Sequence, residues 1–160
     1  MARSFTAFLL SLLVLTAAAC GGGDADGDDT ATSTSEASSG AVTAADVGPV
    51  TSVDLGPLDA QLAAEGETIY KTRCTACHKM DTRYVGPPLA DVLDRRDPVY
   101  VMNMILKPEE MIQKHPDAKE LFAEYGTIMT NQNLTEEQAR AILEYLRQVD
   151  ADAADSDATN

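Results

Sequence analysis

Apolar residues recur at helical spacing in two stretches that flank the middle of the chain. Leu62, Gly66, Ile69 and Tyr70 share one face of a helix predicted over about 58–74. Ala139, Ile142, Leu143, Tyr145 and Leu146 form the stripe of a last helix. That helix is expected to begin at Thr135, because Thr135-Glu136-Glu137-Gln138 is a capping-box pattern. A glycine inside a helix costs about 1 kcal/mol relative to alanine. On an apolar face it signals another helix crossing at close range, so Gly66 and Tyr70 are expected against Ile142, Tyr145 and Leu146. Between the two lie three further helical runs. One spans about 98–107 with Tyr100, Val101, Ile105 and Leu106; one led by Pro108 reaches about Lys114; one led by Pro116 reaches about Tyr125. Neither strand alternation nor a βαβ unit occurs around 60–90.

The ends read differently. Residues 1–19 carry Arg3, an apolar run from Phe8 to Val14 broken by Ser11, and Ala17-Ala18-Ala19 before Cys20. This is a secretory signal, too short to span a bilayer. Ala-Ala-Ala-Cys resembles a bacterial lipobox, which makes Cys20 the expected lipidated first residue; the pattern prefers Leu where Ala17 stands. The alternative is an ordinary cleavage that leaves a free thiol at Cys20. Residues 20–57 are Gly, Asp, Ala, Ser and Thr-rich, and after Cys20 they hold no aromatic residue and no Lys or Arg. They are expected to form a disordered acidic tether with a reach of about 30–35 Å. Within it, Pro49, Val50, Val53, Leu55 and Pro57 are apolar enough to wrap against a domain. The globular domain is placed at 58–149, with a disordered acidic tail at 150–160.

Composition adds two exclusions. The chain carries −14, and its domain segment carries eleven basic and fifteen acidic residues. Neither nucleic acid nor an anionic lipid surface suits that balance. Of three cysteines, one is assigned to lipid and two to the motif described next, so none remains for a disulfide, although an exported protein is free to form one.

The candidate chemistry is Cys74-Thr75-Ala76-Cys77-His78. C-x-x-C-H reads as a c-type haem attachment site. Two thiols add across the two vinyl groups of one porphyrin, and the adjacent imidazole faces the iron. A thioredoxin-like motif has no use for the His and needs a βαβ setting. A zinc site needs a second ligand pair, and the remaining histidine is His115. Haem addition of this kind requires an exported, reduced chain, which agrees with the leader.

The chain resembles the class I cytochromes c, particularly small bacterial monohaem ones. The resemblance rests on Gly66-x-x-x-Tyr70, Cys74 to His78, Asp81-Thr82-Arg83-Tyr84-Val85-Gly86-Pro87, and Met129 before a helix with Tyr145-Leu146, and it covers essentially all of 58–149. It implies an all-α, class I cytochrome c fold of about five helices around one covalently bound haem c, with crossed N- and C-terminal helices. It implies that Pro87 offers its carbonyl to the second ring nitrogen of His78, fixing the ring, and that Leu89 packs on the haem.

The second axial ligand is to be chosen among Met80, Met102, Met104, Met111, Met129 and His115. Met80 is too close to His78 to reach the opposite face. Met102 and Met104 lie inside an apolar helix, where Met is commonly core filler. Met111 and His115 precede Pro116 in a polar stretch, and His115 is expected at the surface. Met129 sits in the irregular segment Gly126-Thr127-Ile128-Met129-Thr130-Asn131, which suits a ligand loop, and is the expected ligand. The family often places Pro after this Met; here Thr130 follows. Asn131, Gln132 or Asn133 is expected to bond the sulfur or a propionate, and Arg83, Tyr84, Arg95 and Arg96 either pair with propionates or remain solvated.

His/Met ligation leaves no open iron position and suits one-electron transfer at raised potential. The resemblance therefore implies an electron carrier and not an enzyme. It would run from a quinol-oxidising complex to a terminal oxidase or nitrous oxide reductase, with no small-molecule substrate. It is expected as a monomer, exported and lipid-anchored to a bacterial membrane facing the periplasm or cell exterior. Lys71, Arg73, Lys79 and Arg83 are expected to ring the exposed haem edge and meet an acidic partner. The alternative is an open-iron haem protein with peroxidase or gas-sensing activity. A third reading is an electron-entry module that works only when docked in a larger complex.

Overall fold

The computed structural model describes residues 41–157. The expected signal peptide, Cys20 and the tether up to residue 40 lie outside the described residues, as does the end of the tail. The described elements are a 3-10 turn at Ala44–Asp46 and six α-helices: α1 (Ala60–Arg73), α2 (Val92–Arg95), α3 (Pro98–Leu106), α4 (Pro108–Lys114), α5 (Pro116–Tyr125) and α6 (Glu136–Asp157). No strand occurs among the described residues.

Local chemistry sets most boundaries. Asp59 caps α1, its carboxylate accepting from the backbone N–H of Gln61 and Leu62 at 2.9 and 3.0 Å. Pro98, Pro108 and Pro116 each occupy the first turn of their helix, where the missing N–H has no partner to lose. Thr135 and Gln138 make the reciprocal capping box: Thr135 N–H donates to Gln138 Oε1 at 3.0 Å, and Gln138 N–H to Thr135 Oγ1 at 3.3 Å. The four-residue helix α2 was not expected.

α1 and α6 cross as the pattern predicts. A Cβ on Gly66 would lie 1.9 Å from the Ala141 carbonyl oxygen, so only glycine permits this approach. Tyr70 and Tyr145 sit beside the crossing with ring centroids 5.3 Å apart. Ile142, Leu143 and Leu146 are buried, and the core continues through Tyr100, Val101, Met102, Ile105, Leu106 and Met111.

Four expectations need correction. The segment from 43 to 57 is not a disordered tether but a strap on the domain, with Val47 and Val50 buried; Val50, Val53 and Leu55 do pack on the domain, as expected from their apolar character. Its anchor is Asn103, fully buried on α3. The Asn103 amide donates to the carbonyls of Ala44 and Val50, both at 2.8 Å, and its oxygen accepts from Val50 N–H at 3.0 Å. Further along, Arg147 donates to the carbonyls of Leu55 (2.8 Å) and Gly56 (3.0 Å). The compact unit therefore starts before residue 58. The expected tail is helical through Asp157, because α6 runs on without interruption. Met111, expected in a polar stretch, is fully buried. His115 is not a surface residue: the α4–α5 corner turns inward, and its ring stands edge-on to Tyr100 at 5.0 Å.

Candidate functional site

The C-x-x-C-H motif continues α1 as one further wound turn. Cys74 caps the helix, its N–H donating to Tyr70 O at 2.9 Å. The Cys74 carbonyl in turn accepts from Cys77 N–H (3.0 Å) and His78 N–H (2.9 Å). Tyr70 Oη donates to His78 O at 3.4 Å. The turn thus brings both thiols and the imidazole to one end of α1.

The chain then doubles back over the histidine. Gly86 N–H donates to Cys77 O at 2.8 Å, Leu89 N–H to Lys79 O at 3.0 Å, and Ala90 N–H to Met80 O at 3.0 Å. A Cβ on Gly86 would fall 2.5 Å from His78 Cε1. The His78 ring nitrogen Nδ1 lies 2.9 Å from Pro87 O. A carbonyl only accepts, so Nδ1 carries the proton and Nε2 keeps its lone pair. Burial holds the His78 imidazole below its ordinary pKa, against the opposing pull of the Pro87 bond. Burial, with Cys77 beside it, pushes the Cys74 thiol up to about 11. Arg95 braces the same loop, donating to Ala90 O (2.8 Å) and Pro88 O (3.1 Å).

Cys74, Cys77 and His78 open onto a cavity. Gly86 and Pro87 line it on their side. Met104 of α3, Ile112 of α4, and Ala118, Leu121, Phe122 and Tyr125 of α5 form further wall. Ile128, Met129 and Gln132 complete it. Sequence reasoning missed the α4 and α5 walls. Leu121, Phe122 and Tyr125 do recur at helical spacing, but periodicity alone does not say what a face covers.

Of the six candidate sixth ligands, Met104 and Met129 line the cavity. Met102 and Met111 are core. Met80 packs against the core, and His115 lines a separate cavity beside the strap. Leu89 packs against the core and is not part of this wall. Asn131 does not serve the cavity either. Its amide donates to Leu106 O at 3.1 Å, its oxygen accepts from Asn133 N–H at 2.7 Å, and its backbone N–H donates to Glu109 at 3.0 Å. It pins the Met129 segment to α3 and α4. Gln132 donates to Thr130 O at 3.1 Å.

The cations are largely committed. Arg96 pairs with Asp117 at 2.8 Å. Arg83 pairs with the Glu124 carboxylate, donates to Glu124 O at 2.9 Å and stacks on Tyr125 at 3.8 Å. Lys71 pairs with Glu67 at 2.8 Å, and Lys79 lies over the Tyr84 ring at 5.0 Å. Arg73 lines the cavity.

Among the described residues, no three His, Cys, Asp or Glu side chains converge on a point. One imidazole and one or two thioethers are too few to hold a bare cation. They fit an iron that arrives inside a macrocycle, and two thiols at the rim fit a covalent hold on it. The mostly apolar walls suit the faces of such a ring.

The family model described as Cytochrome c matches residues 63–150. No curated protein matches the chain. Among solved structures, a cytochrome c from Rhodothermus marinus is 58% identical, with a TM-score of 0.67, over 68% of this chain and 95% of that one. An engineered cytochrome c from the same organism matches at the same identity and coverage with a TM-score of 0.66. An engineered form bound to a carbene intermediate, 1-ethoxy-1-oxopropan-2-ylidene, does so at 0.64.

Proposed function

We propose, from the premise that the chain belongs to the cytochrome c family and serves haem-based electron transfer, that it is a membrane-tethered monohaem carrier in an exported respiratory chain. As a family member it holds haem c covalently, and Cys74 and Cys77 are its C-x-x-C-H cysteines. The proposed axial ligands are His78 through Nε2 and Met129 through its sulfur. When bound, the haem supplies one-electron exchange at its iron, and thioether ligation raises the potential.

The observation that carries this reading is the bond from His78 Nδ1–H to Pro87 O at 2.9 Å, made at a cavity that Met129 also lines. It fixes the tautomer, orients the ring and makes the free nitrogen a better donor. Asn131 holds the Met129 segment from the other side. Were His78 and Met129 both to hold the iron, no position would be left on it for a small-molecule substrate.

The proposed donor is a quinol-oxidising complex, and the acceptor a terminal oxidase or nitrous oxide reductase. Docking between redox partners is small and weak, which suits a lipid-anchored monomer. Among the described residues no helix is long and apolar enough to cross a membrane. The anchoring proposal therefore rests on Cys20 and the apolar run before it.

Three measurements test the proposal. A redox titration of the purified haem protein should follow a single one-electron curve, and the reduced form should bind carbon monoxide poorly. Tight carbon monoxide binding would instead identify an open iron. Cys20→Ser should move the protein from membrane to soluble fractions; unchanged membrane retention would remove the lipid anchor from the reading.

A second reading, small-group chemistry at an opened iron, is favoured by one observation. The engineered Rhodothermus relative at 58% identity is bound to a carbene intermediate.

A further inference from the structure

Two methionines, not one, line the cavity into which His78 opens, and the fold holds them differently. Met129 lies in a segment without helix. Among the described residues, the backbone N–H groups of Thr127, Ile128, Met129 and Thr130 donate to no protein group. The segment is fixed at its ends, by Gly126 N–H on Phe122 O at 2.9 Å and by Asn131 on Leu106 O at 3.1 Å. Met104 sits on α3, which is capped by Asp97 (accepting from Val99 N–H at 2.8 Å). The residue before Met104, Asn103, is tied to the strap by three hydrogen bonds. Local opening draws on segments with few backbone bonds. Here it would move Met129 and leave Met104 in place.

We infer that Met104 is a reserve thioether ligand, which takes the iron position vacated when the 127–130 segment opens. The inference rests on the carrier reading with Met129 as resident ligand. The chemistry is an exchange of one neutral sulfur donor for another, with no change in charge or proton count. A thioether on three rotatable bonds adapts to a site of this kind, and soft sulfur suits iron already held by imidazole. The consequence is a carrier whose iron stays closed to peroxide and diatomic gases while its loop moves.

The test uses the full-length haem-loaded protein and the long-wavelength sulfur-to-iron charge-transfer band of its oxidised form. Three variants are compared with the native chain: Met129→Ala, Met104→Leu and the double variant. The expected result is a band retained in the native chain and in each single variant, and lost only in the double variant, which alone binds carbon monoxide tightly when reduced. Loss of the band in Met129→Ala overturns the reserve role and leaves Met129 standing as the ligand. Loss in Met104→Leu with retention in Met129→Ala overturns both assignments, making Met104 the resident ligand. A band that survives in the double variant also overturns the inference, since the sulfur then comes from elsewhere.

Discussion

The Cβ position of Gly86 lies 2.5 Å from Cε1 of His78, so the loop closes over the imidazole without room for a methyl group. That closeness carries the Pro87 carbonyl to His78 Nδ1. Gly86→Ala should push the ring or the loop aside and lengthen that bond. Loss of such an orienting bond typically costs about 10–100-fold in metal affinity or activity. The expected outcome is a raised reduction potential, since a less basic imidazole stabilises the oxidised iron less, and faster carbon monoxide binding, read by potentiometry and stopped flow. Native values in the variant would show that the loop yields without consequence.

Asn103 should matter for stability more than any surface polar residue. Asn103→Ala leaves the Val50 N–H and the Ala44 and Val50 carbonyls without their partners in a buried setting. Each unsatisfied buried group costs about 1–3 kcal/mol, and partial relaxation of the strap brings the expected loss to about 2–4 kcal/mol. Chemical denaturation measures it. A chain truncated to begin at residue 58 should lose at least as much.

Glu144 links the strap, α1 and α6. It accepts from Asp59 N–H at 2.8 Å, Arg140 at 2.6 Å and Arg147 at 2.8 Å. Burial raises its pKa, but these bonds from Asp59, Arg147 and Arg140 outweigh burial and hold the carboxyl below its ordinary value of 4.5. A carboxyl with a depressed folded pKa contributes stability that is fully present above its unfolded pKa and is lost as pH falls through the folded one. Stability should therefore hold above about pH 4.5 and decline below it, and Glu144→Gln should flatten that decline while lowering stability at neutral pH. A parallel pH profile in the variant would assign the acid limb to other carboxylates.

Asn131 tests how the Met129 segment is held. Asn131→Ala removes the bonds to Leu106 O and from Asn133 N–H. At about 1 kcal/mol for each net hydrogen bond, opening of the segment should become roughly 10-fold or more easier. Exchange of the Asn131 backbone amide proton, which Glu109 holds at 3.0 Å, should rise accordingly, with the helices unaffected. An unchanged exchange pattern would show that the loop is held by its apolar contacts instead.

Charge pairing refines what docking should show. Lys71 and Arg83 are already met by Glu67 and Glu124, while Arg73 lines the cavity and Lys79 rests on Tyr84. Electron exchange with an acidic partner should thus slow more for Arg73→Glu with Lys79→Glu than for the same changes at Lys71 and Arg83. Its salt dependence should flatten in the first pair. Equal effects would return the surface to a diffuse cationic ring.

Much of this protein follows from its sequence alone. The three prolines, the Thr135–Gln138 box and the Gly66 face mark helices and a crossing by local rules: a missing N–H, a side chain that caps its own turn, a residue without Cβ. The C-x-x-C-H spacing names its chemistry because thioether attachment tolerates few other arrangements. What the tertiary structure alone decided depends on partners far along the chain. Asn103 holds residues more than fifty positions away, so an Asn inside an apolar helix gave no local sign of its role. His115 is buried because a corner between two proline-led helices turns toward Tyr100. Met104 and Met102, two residues apart on one helix, part company because α3 presents one to the cavity and the other to the core. Periodicity marks both as apolar; which face meets which neighbour is set by packing, and no local pattern encodes it.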